Sequence, residues 1–356
     1  GGDLSAISIN PAGAAIFSKS HASFSLSHLH KDNKTSFFNA TNSSSDTKID
    51  IHQAGAAFVF KSNNESSPWN KFVFSISYDK TANYDNKWIA AGQNNNSIDS
   101  YFLEYANGLR LDEISAFENE TISEAYADIG AFYGYGNQQA FLGYESFILE
   151  PDTDTDANTL YTSNIADGTF NQRYEYRATG YNGKFSFNAA TQYGEKLYLG
   201  VNLNTHFINY ERSTFLDESN SNDGSLVTNV GFQNNLLTRG NGFSFQLGAI
   251  LKLTPSLRTG FTYSSPTWFT ILEETSQSIS TIQNDTSGLF STVVAPNIIN
   301  IFPSYRLQSP GKITGSLAYV FGTQGLISFD YSRRDYSNIK FEPTSDVYFA
   351  SQNARI

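Results

Sequence analysis

The chain has 356 residues, no cysteine and a formal net charge of −11. The missing thiols exclude disulfide frameworks, thiolate metal sites and a cysteine nucleophile, and an acidic chain without a Lys/Arg-rich run lacks the footprint of a nucleic-acid binder. No stretch approaches the roughly 18 consecutive apolar residues of a membrane helix, yet charged residues reach only 16% and aromatics 15%, with 21 Tyr and 29 Phe, where ordinary globular domains carry about 25% charge.

Residues 1–18, GGDLSAISINPAGAAIFS, are rich in small side chains and have no two-residue period. Pro11 disfavours helix at Asn10, so Asn10-Pro11-Ala12 reads as a corner. Such a segment suits burial against other surfaces, or a plain N-terminal arm. From residue 21 the period becomes two. Over 21–31, Phe24 and Leu26 alternate with Ser23, Ser25 and Ser27. A polar stretch, 32–50, interrupts the pattern, which returns over 51–61 and 69–80. In the latter, Phe72, Phe74, Ile76 and Tyr78 oppose Val73, Ser75, Ser77 and Asp79, the signature of a strand with one apolar face.

Residues 81–177 show little of this period. Ala125, Ile129, Phe132 and Tyr133 recur every three to four residues, as do Ala140, Tyr144, Phe147 and Ile148, which predicts a helix or two over 123–149. So long a connection is expected to be an ordered, functional excursion. Its aromatics, among them Phe132, Tyr133, Tyr144 and Phe147, serve either as an exposed apolar groove where a ligand first lands or as the excursion's own small core. Asp152, Asp154 and Asp156 are spaced as in a calcium loop, but Ala157 and Ser163 stand where Gly and Glu belong, so a solvated acidic loop is the reading.

The two-residue period is clearest over 184–207. Phe185, Phe187 and Ala189 lie opposite Ser186, Asn188 and Ala190; a turn at Tyr193-Gly194-Glu195 follows; then Leu197, Leu199, Val201 and Leu203 lie opposite Tyr198, Gly200, Asn202 and Asn204. After a polar region, 208–240, further strands run over 243–253 and 257–263. A long stretch, 273–308, leads to a hairpin over 312–321 and 326–336. Connections thus alternate long (32–50, 81–177, 208–240, 273–308) with short (62–68, 193–195, 254–256, 322–325). That asymmetry predicts a transmembrane antiparallel β-barrel, with tight turns at one end and long loops at the other. Nine strands are visible and a tenth is expected near Val347. Since a barrel must close and bacterial barrels have even strand numbers, further strands are expected beyond Ile356. The pleat points Lys252 and Arg258 inward, with Arg177 at a strand mouth. These cations would hold a ligand carboxylate or pair with carboxylates such as Asp330. His28 and His30 share a strand face, but no third metal ligand accompanies them.

Three segments carry a family resemblance. Gly2-Asp3-Leu4-Ser5-Ala6 running into Asn10-Pro11-Ala12-Gly13 resembles the N-terminal hatch of the FadL/TodX family of outer-membrane hydrophobic-compound channels, in its Bacteroidota form. Gly248-Ala249-Ile250 through Leu253-Thr254-Pro255, with Leu257-Arg258-Thr259-Gly260 and Tyr263-Ser264-Ser265-Pro266, is similar to that family's central hairpin. Ser309-Pro310-Gly311-Lys312, Gly315, Ala318-Tyr319, Gly325-Leu326, Asp330-Tyr331 and Asp335-Tyr336 resemble the next hairpin. The long loops match nothing specific.

The resemblance implies a fourteen-stranded barrel plugged by its N-terminal segment, passive uptake of long-chain fatty acids or similar molecules, and lateral release at an inward kink in an early strand. The third strand, 72–80, has neither Gly nor Pro to mark such a kink. The chain therefore divides into a hatch, 1–19, and a barrel, 20–356, bearing the excursion 81–177. Hatch residues Asn10, Pro11, Ala12 and Phe17, with Lys252 and Arg258, are the expected lumen site. The expectation is a non-enzymatic outer-membrane channel for hydrophobic compounds, needing no cofactor or metal and surrounded by membrane lipid and lipopolysaccharide. The alternative is a non-transporting accessory barrel in a larger outer-membrane complex.

Overall fold

Before the first strand, the N-terminal residues form a helical turn, α1 (Ala6–Ile9), and a 3-10 turn (Pro11–Ile16). Asn10 between them is extended (φ −141°, ψ 115°), as a residue before proline should be. The computed structural model describes residues 4–64, 66–285 and 288–356, and the two-residue period builds from them a large antiparallel sheet of nine successive strands. These are β1 (His21–Phe37), β2 (Ala40–Lys61), β3 (Trp69–Asn83, resuming as Asn86–Asn94), β4 (Phe170–Tyr193) and β5 (Leu197–Asn220). They continue with β6 (Val227–Lys252), β7 (Leu257–Ser264, resuming as Thr267–Asp285), β8 (Gly288–Val294, Asn300–Ile301, Tyr305–Ser309 and Lys312–Val320) and β9 (Leu326–Arg334, resuming as Lys340–Glu342). Each strand pairs with its neighbours in sequence. Among the described residues the outer strands β1 and β9 are not joined, so the sheet is open.

The resumed β3 keeps β4 as its partner. Asn83 faces Tyr181 and Asn86 faces Ala178, so three steps along β3 match three along β4 and the interruption is local. Ser265-Pro266 interrupts β7, and Pro310-Gly311 interrupts β8, where proline cannot donate to the ladder.

Three expected loops are corrected. Residues 32–50, 208–240 and 273–308 are largely strand: β1 and β2 meet at Phe38-Asn39, and β5 and β6 are joined through 221–226. Ladder bonds join backbone groups whatever the side chains are, and polar residues on both faces erase the alternation that reveals a strand. The long connection is 95–169, and the even alternation of long and short connections does not hold. It carries α2 (Asp99–Ala106), α3 (Ile122–Phe132), α4 (Tyr135–Glu145) and a ribbon of Leu149–Pro151 with Tyr161–Ser163. The two expected helices are α3 and α4. The tenth strand is also corrected: Val347–Asn353 is a helix, α5, capped by Asp346, whose Oδ1 accepts the Phe349 N–H at 3.0 Å.

One face of the sheet carries the N-terminal segment and is called the inner face below. The opposite face changes character along its length. Outward residues of β6 are polar from Asn229 to Asn241, apart from Leu237, and then become Phe243, Phe245, Leu247, Ala249 and Leu251. β4 carries Phe185, Phe187 and Ala189 at the same level, and β5 carries Leu199, Val201 and Leu203. Among the described residues no second layer covers this belt: Phe72 is 56% exposed, Leu203 50% and Leu247 49%. β6 has 26 residues, and a membrane strand needs about 9–11, so well over half of it stands beyond the apolar belt. Hydrogen exchange tests this extension. Amides of 208–220 and 227–240 are expected to be as protected as those of the belt; exchange at loop rates would refute the ladder.

Candidate functional site

The Asn10-Pro11 corner rests on a seat of glycines contributed by three adjacent strands. Gly200 of β5 is directly opposite Gly248 of β6, and Gly260 of β7, opposite Ile250, lies two pairs further along. A Cβ on Gly200 would collide with the Pro11 carbonyl; one on Gly248 would collide with the Asn10 side chain and stand 2.8 Å from Pro11 Cδ. Absent side chains therefore create the room for the corner. Polar inner residues then grip the segment's backbone. Asn188 Nδ2 donates to Pro11 O (3.0 Å), Asn202 Nδ2 to Ile7 O (2.9 Å) and Lys71 Nζ to Phe17 O (2.8 Å). Asn10 Nδ2 donates back to Ala249 O at 3.2 Å. Leu4, Ile7, Ala12, Ala14, Ala15 and Phe17 are buried against Val73, Ala190 and Tyr198.

β3 is interrupted at Tyr84-Asp85, beyond the stretch where a kink was sought and without Gly or Pro. Asp85 makes the interruption. Its carboxylate accepts the Gly180 N–H of β4 (3.2 Å) and Lys48 Nζ (2.6 Å), while its carbonyl accepts from Lys31 Nζ. Gly180 has φ +114°, and a Cβ there would strike Asn209 O. Past the Gln53–Asp79 pair, β2 no longer pairs with β3. The upper segment, Asn86–Asn94, instead presents its free edge to the inner side chains of the β1–β2 hairpin. Asn33 and Ser44 donate to Lys87 O (2.8 and 2.7 Å), Thr35 donates to Ile89 O, and Asn42 donates to Ala91 O (3.1 Å). Asn, Ser and Thr side chains thus close a seam that a ladder closes elsewhere.

At the polar end of the sheet, the excursion docks on the same inner face. Phe102, Tyr126, Phe141 and Leu142 pack with Phe232 of β6, Ile279 of β7 and Val294 of β8. Buried Glu218 fastens the start of α2, accepting from Ser97 Oγ (2.5 Å) and the Ile98 N–H (3.0 Å). Tyr126 donates to Gln277 Oε1 (2.9 Å), and Tyr101 to Gln139 Oε1 (3.0 Å). Burial pushes the Tyr126 phenol up to about 12 and Tyr101 higher still, so both remain protonated donors at neutral pH. Between these helices and β4–β7 lies a cavity of about 350 Å³, walled by Tyr101, Tyr135, Tyr174, Leu216 and Phe232, with Arg212 on its floor.

The expected site residues separate into groups. Asn10, Pro11, Ala12 and Phe17 come together in the seated segment. Lys252 and Arg258 face each other across β6 and β7 near the tight turns; Lys252 Nζ sits 5.0 Å from the Tyr198 ring centroid. Neither forms an ion pair among the described residues, and the expected partner Asp330 is exposed on β9. Arg177 lies on the exposed face opposite Lys87. Phe132, Tyr133 and Phe147 are exposed, while Tyr144 packs on the excursion's core, so only Tyr144 of this set joins that core. Asp152, Asp154 and Asp156 are exposed, His30 pairs with Asp32, and no group of three metal-ligand side chains converges among the described residues. Sequence reasoning missed Arg212, Asp85 and Glu218 because each sits in a polar stretch read as loop. Neither a family model nor a curated protein nor a solved structure matches the chain.

Gly248→Val is expected to unseat the N-terminal segment, at a cost of about 1–3 kcal/mol. Limited proteolysis should then cut within residues 4–17 while β4–β6 stay resistant. Unchanged protection would show that the seat can yield.

Proposed function

We propose that this chain is an outer-membrane conduit for hydrophobic compounds, with its belt in lipid and its inner face around the passage. One observation carries the reading. A band of apolar side chains about nine residues tall lies uncovered on one face, while the other face buries Ser75, Ser77, Asn188, Asn202 and Gln246 beneath a plug. In water, so large an apolar patch is a liability; in a bilayer it is the solvent contact, and its height matches a spanning strand. The resemblance to FadL/TodX hatch and hairpin segments points the same way, and sheet closure into a barrel belongs to this reading.

The passage divides the work among the groups described. Exposed Phe132, Tyr133 and Phe147 adsorb an apolar ligand by burial, worth roughly 25 cal/mol per Å². The cavity between excursion and sheet receives it, and the seated segment must shift before it reaches Lys252 and Arg258. The seam between the β1–β2 hairpin and upper β3 offers a sideways exit, since side chains can let go of an edge one at a time. Movement is down-gradient and calls for no cofactor. The second reading, an accessory barrel in an outer-membrane complex, draws on the two plugs occupying the inner face; flux decides between them.

Leu203→Arg, in mid-belt, is expected to cost about 2–4 kcal/mol and to block assembly into liposomes, whereas Glu211→Arg, above it, should insert normally. Equal insertion would remove the belt from lipid. In proteoliposomes, wild type should speed entry of a fluorescent apolar probe. In this cysteine-free chain, bridging Asn42→Cys to Ala91→Cys with a short bismaleimide should slow release without preventing binding. Flux indistinguishable from empty liposomes would favour the accessory reading.

A further inference from the structure

Three lysines on the inner face above the seated segment have carboxylate partners. Lys48 pairs with Asp85 (2.6 Å), Lys80 with Asp50, and Lys184 with Asp79 (3.8 Å). Arg212 forms neither an ion pair nor a side-chain hydrogen bond among the described residues. Its nearest acidic candidate on the same strand face, Glu218, is committed to Ser97, the Ile98 N–H and Gln172. Arg212 is half-buried, and its cross-strand partners are Ala178 and Leu236, whose side chains cannot accept a hydrogen bond. A half-buried guanidinium with no anion beside it leaves its donors to water, and its fork suits a carboxylate.

We propose that the Arg212 cavity is a binding site for compact amphipathic monocarboxylates, aromatic or medium-chain acids, rather than for long-chain ones. This rests on the conduit reading and adds its ligand class. Size argues for it. At about 30 Å³ per water-sized group, 350 Å³ holds roughly a dozen non-hydrogen atoms, enough to enclose a phenylalkanoate, whereas a sixteen-carbon acid would have to protrude from it. The walls agree. Phe232 and Leu216 offer apolar contact, and the rings of Tyr101, Tyr135 and Tyr174 offer faces for a planar ligand. The closed side is braced by amides, Gln277 Nε2 donating to Gln139 Oε1 at 2.9 Å, so lengthening the ligand there would break a satisfied buried network.

The test is calorimetric titration of the full chain in detergent with 4-phenylbutyrate, its neutral analogue 4-phenylbutanol, and palmitate. Wild type should bind 4-phenylbutyrate most tightly. Arg212→Gln should weaken it roughly ten- to a hundredfold and leave 4-phenylbutanol unchanged. Leu236→Trp, which keeps the charge and fills the cavity, should weaken acid and alcohol alike. Heat-shift electrophoresis reports whether each variant is folded; should Arg212→Gln misfold, Leu236→Trp carries the test. Unchanged 4-phenylbutyrate affinity in both folded variants would overturn the site. Palmitate binding more tightly than 4-phenylbutyrate would overturn the size class. Arg212-dependent binding without flux in proteoliposomes would support the site and sink the conduit reading, so the two fail separately.

Discussion

Every strand of this sheet must satisfy two environments at once, because its side chains alternate between faces while its backbone bonds stay in the sheet plane. At belt level the outward residues are Phe, Leu, Ile and Val, and the inward residues are Ser, Asn, Gln and Thr. Burying the inward set is costly wherever a partner is missing, since an orphaned polar group costs about 1–3 kcal/mol. The N-terminal segment supplies partners to part of the set: carbonyls of Ile7, Pro11 and Phe17 accept from Asn202, Asn188 and Lys71, while the hydroxyls of Ser75, Ser77 and Ser186 meet none among the described residues. Plug and polar face therefore require each other. Neither is satisfied when the other is removed, unless water or a ligand takes its place.

The glycine seat shows how close that dependence is. The corner approaches the backbone of β5 and β6 more closely than any side chain there would permit, which lets Asn10 reach Ala249 O directly. In the conduit proposed above, this backbone-to-backbone packing is the barrier to a ligand entering from the polar end. Opening it breaks side-chain-to-backbone hydrogen bonds and leaves the ladders of the sheet intact, so the plug can shift without unfolding the wall.

How far the sequence foretold this follows from the same physics. The belt hairpins were legible because apolar alternation exists only where the two faces meet different environments, as over 184–207 and 243–263. The Asn10-Pro11 corner was legible because proline restricts its predecessor, and α3 and α4 because their apolar residues recur at helical spacing. Polar strand extensions were not, since 208–220 and 227–240 place hydrophilic residues on both faces for most of their length. The break in β3 escaped notice for a different reason. A kink was sought through Gly or Pro, but Asp85 achieves it by substituting a carboxylate for a ladder carbonyl, and an aspartate in a polar stretch gives no such signal. Arg212 becomes conspicuous only beside the paired lysines on its face, a comparison that needs three dimensions.

The seam completes the argument about edges. An open strand edge is a row of unmet backbone groups. Upper β3 solves this by turning its edge toward the inner face of the β1–β2 hairpin, where Asn33, Thr35, Asn42 and Ser44 cap the carbonyls of Lys87, Ile89 and Ala91. Gly92 lets the hairpin tip come close, since a Cβ there would stand 2.9 Å from Phe37 O. A ladder parts only when a run of bonds parts together; these caps sit on separate rotatable side chains, each net worth on the order of 1 kcal/mol and each replaceable by water. The wall is thus weakest where its edge is capped rather than paired. The polar stretch 32–50, unremarkable as sequence, is what makes that weakness tolerable at rest.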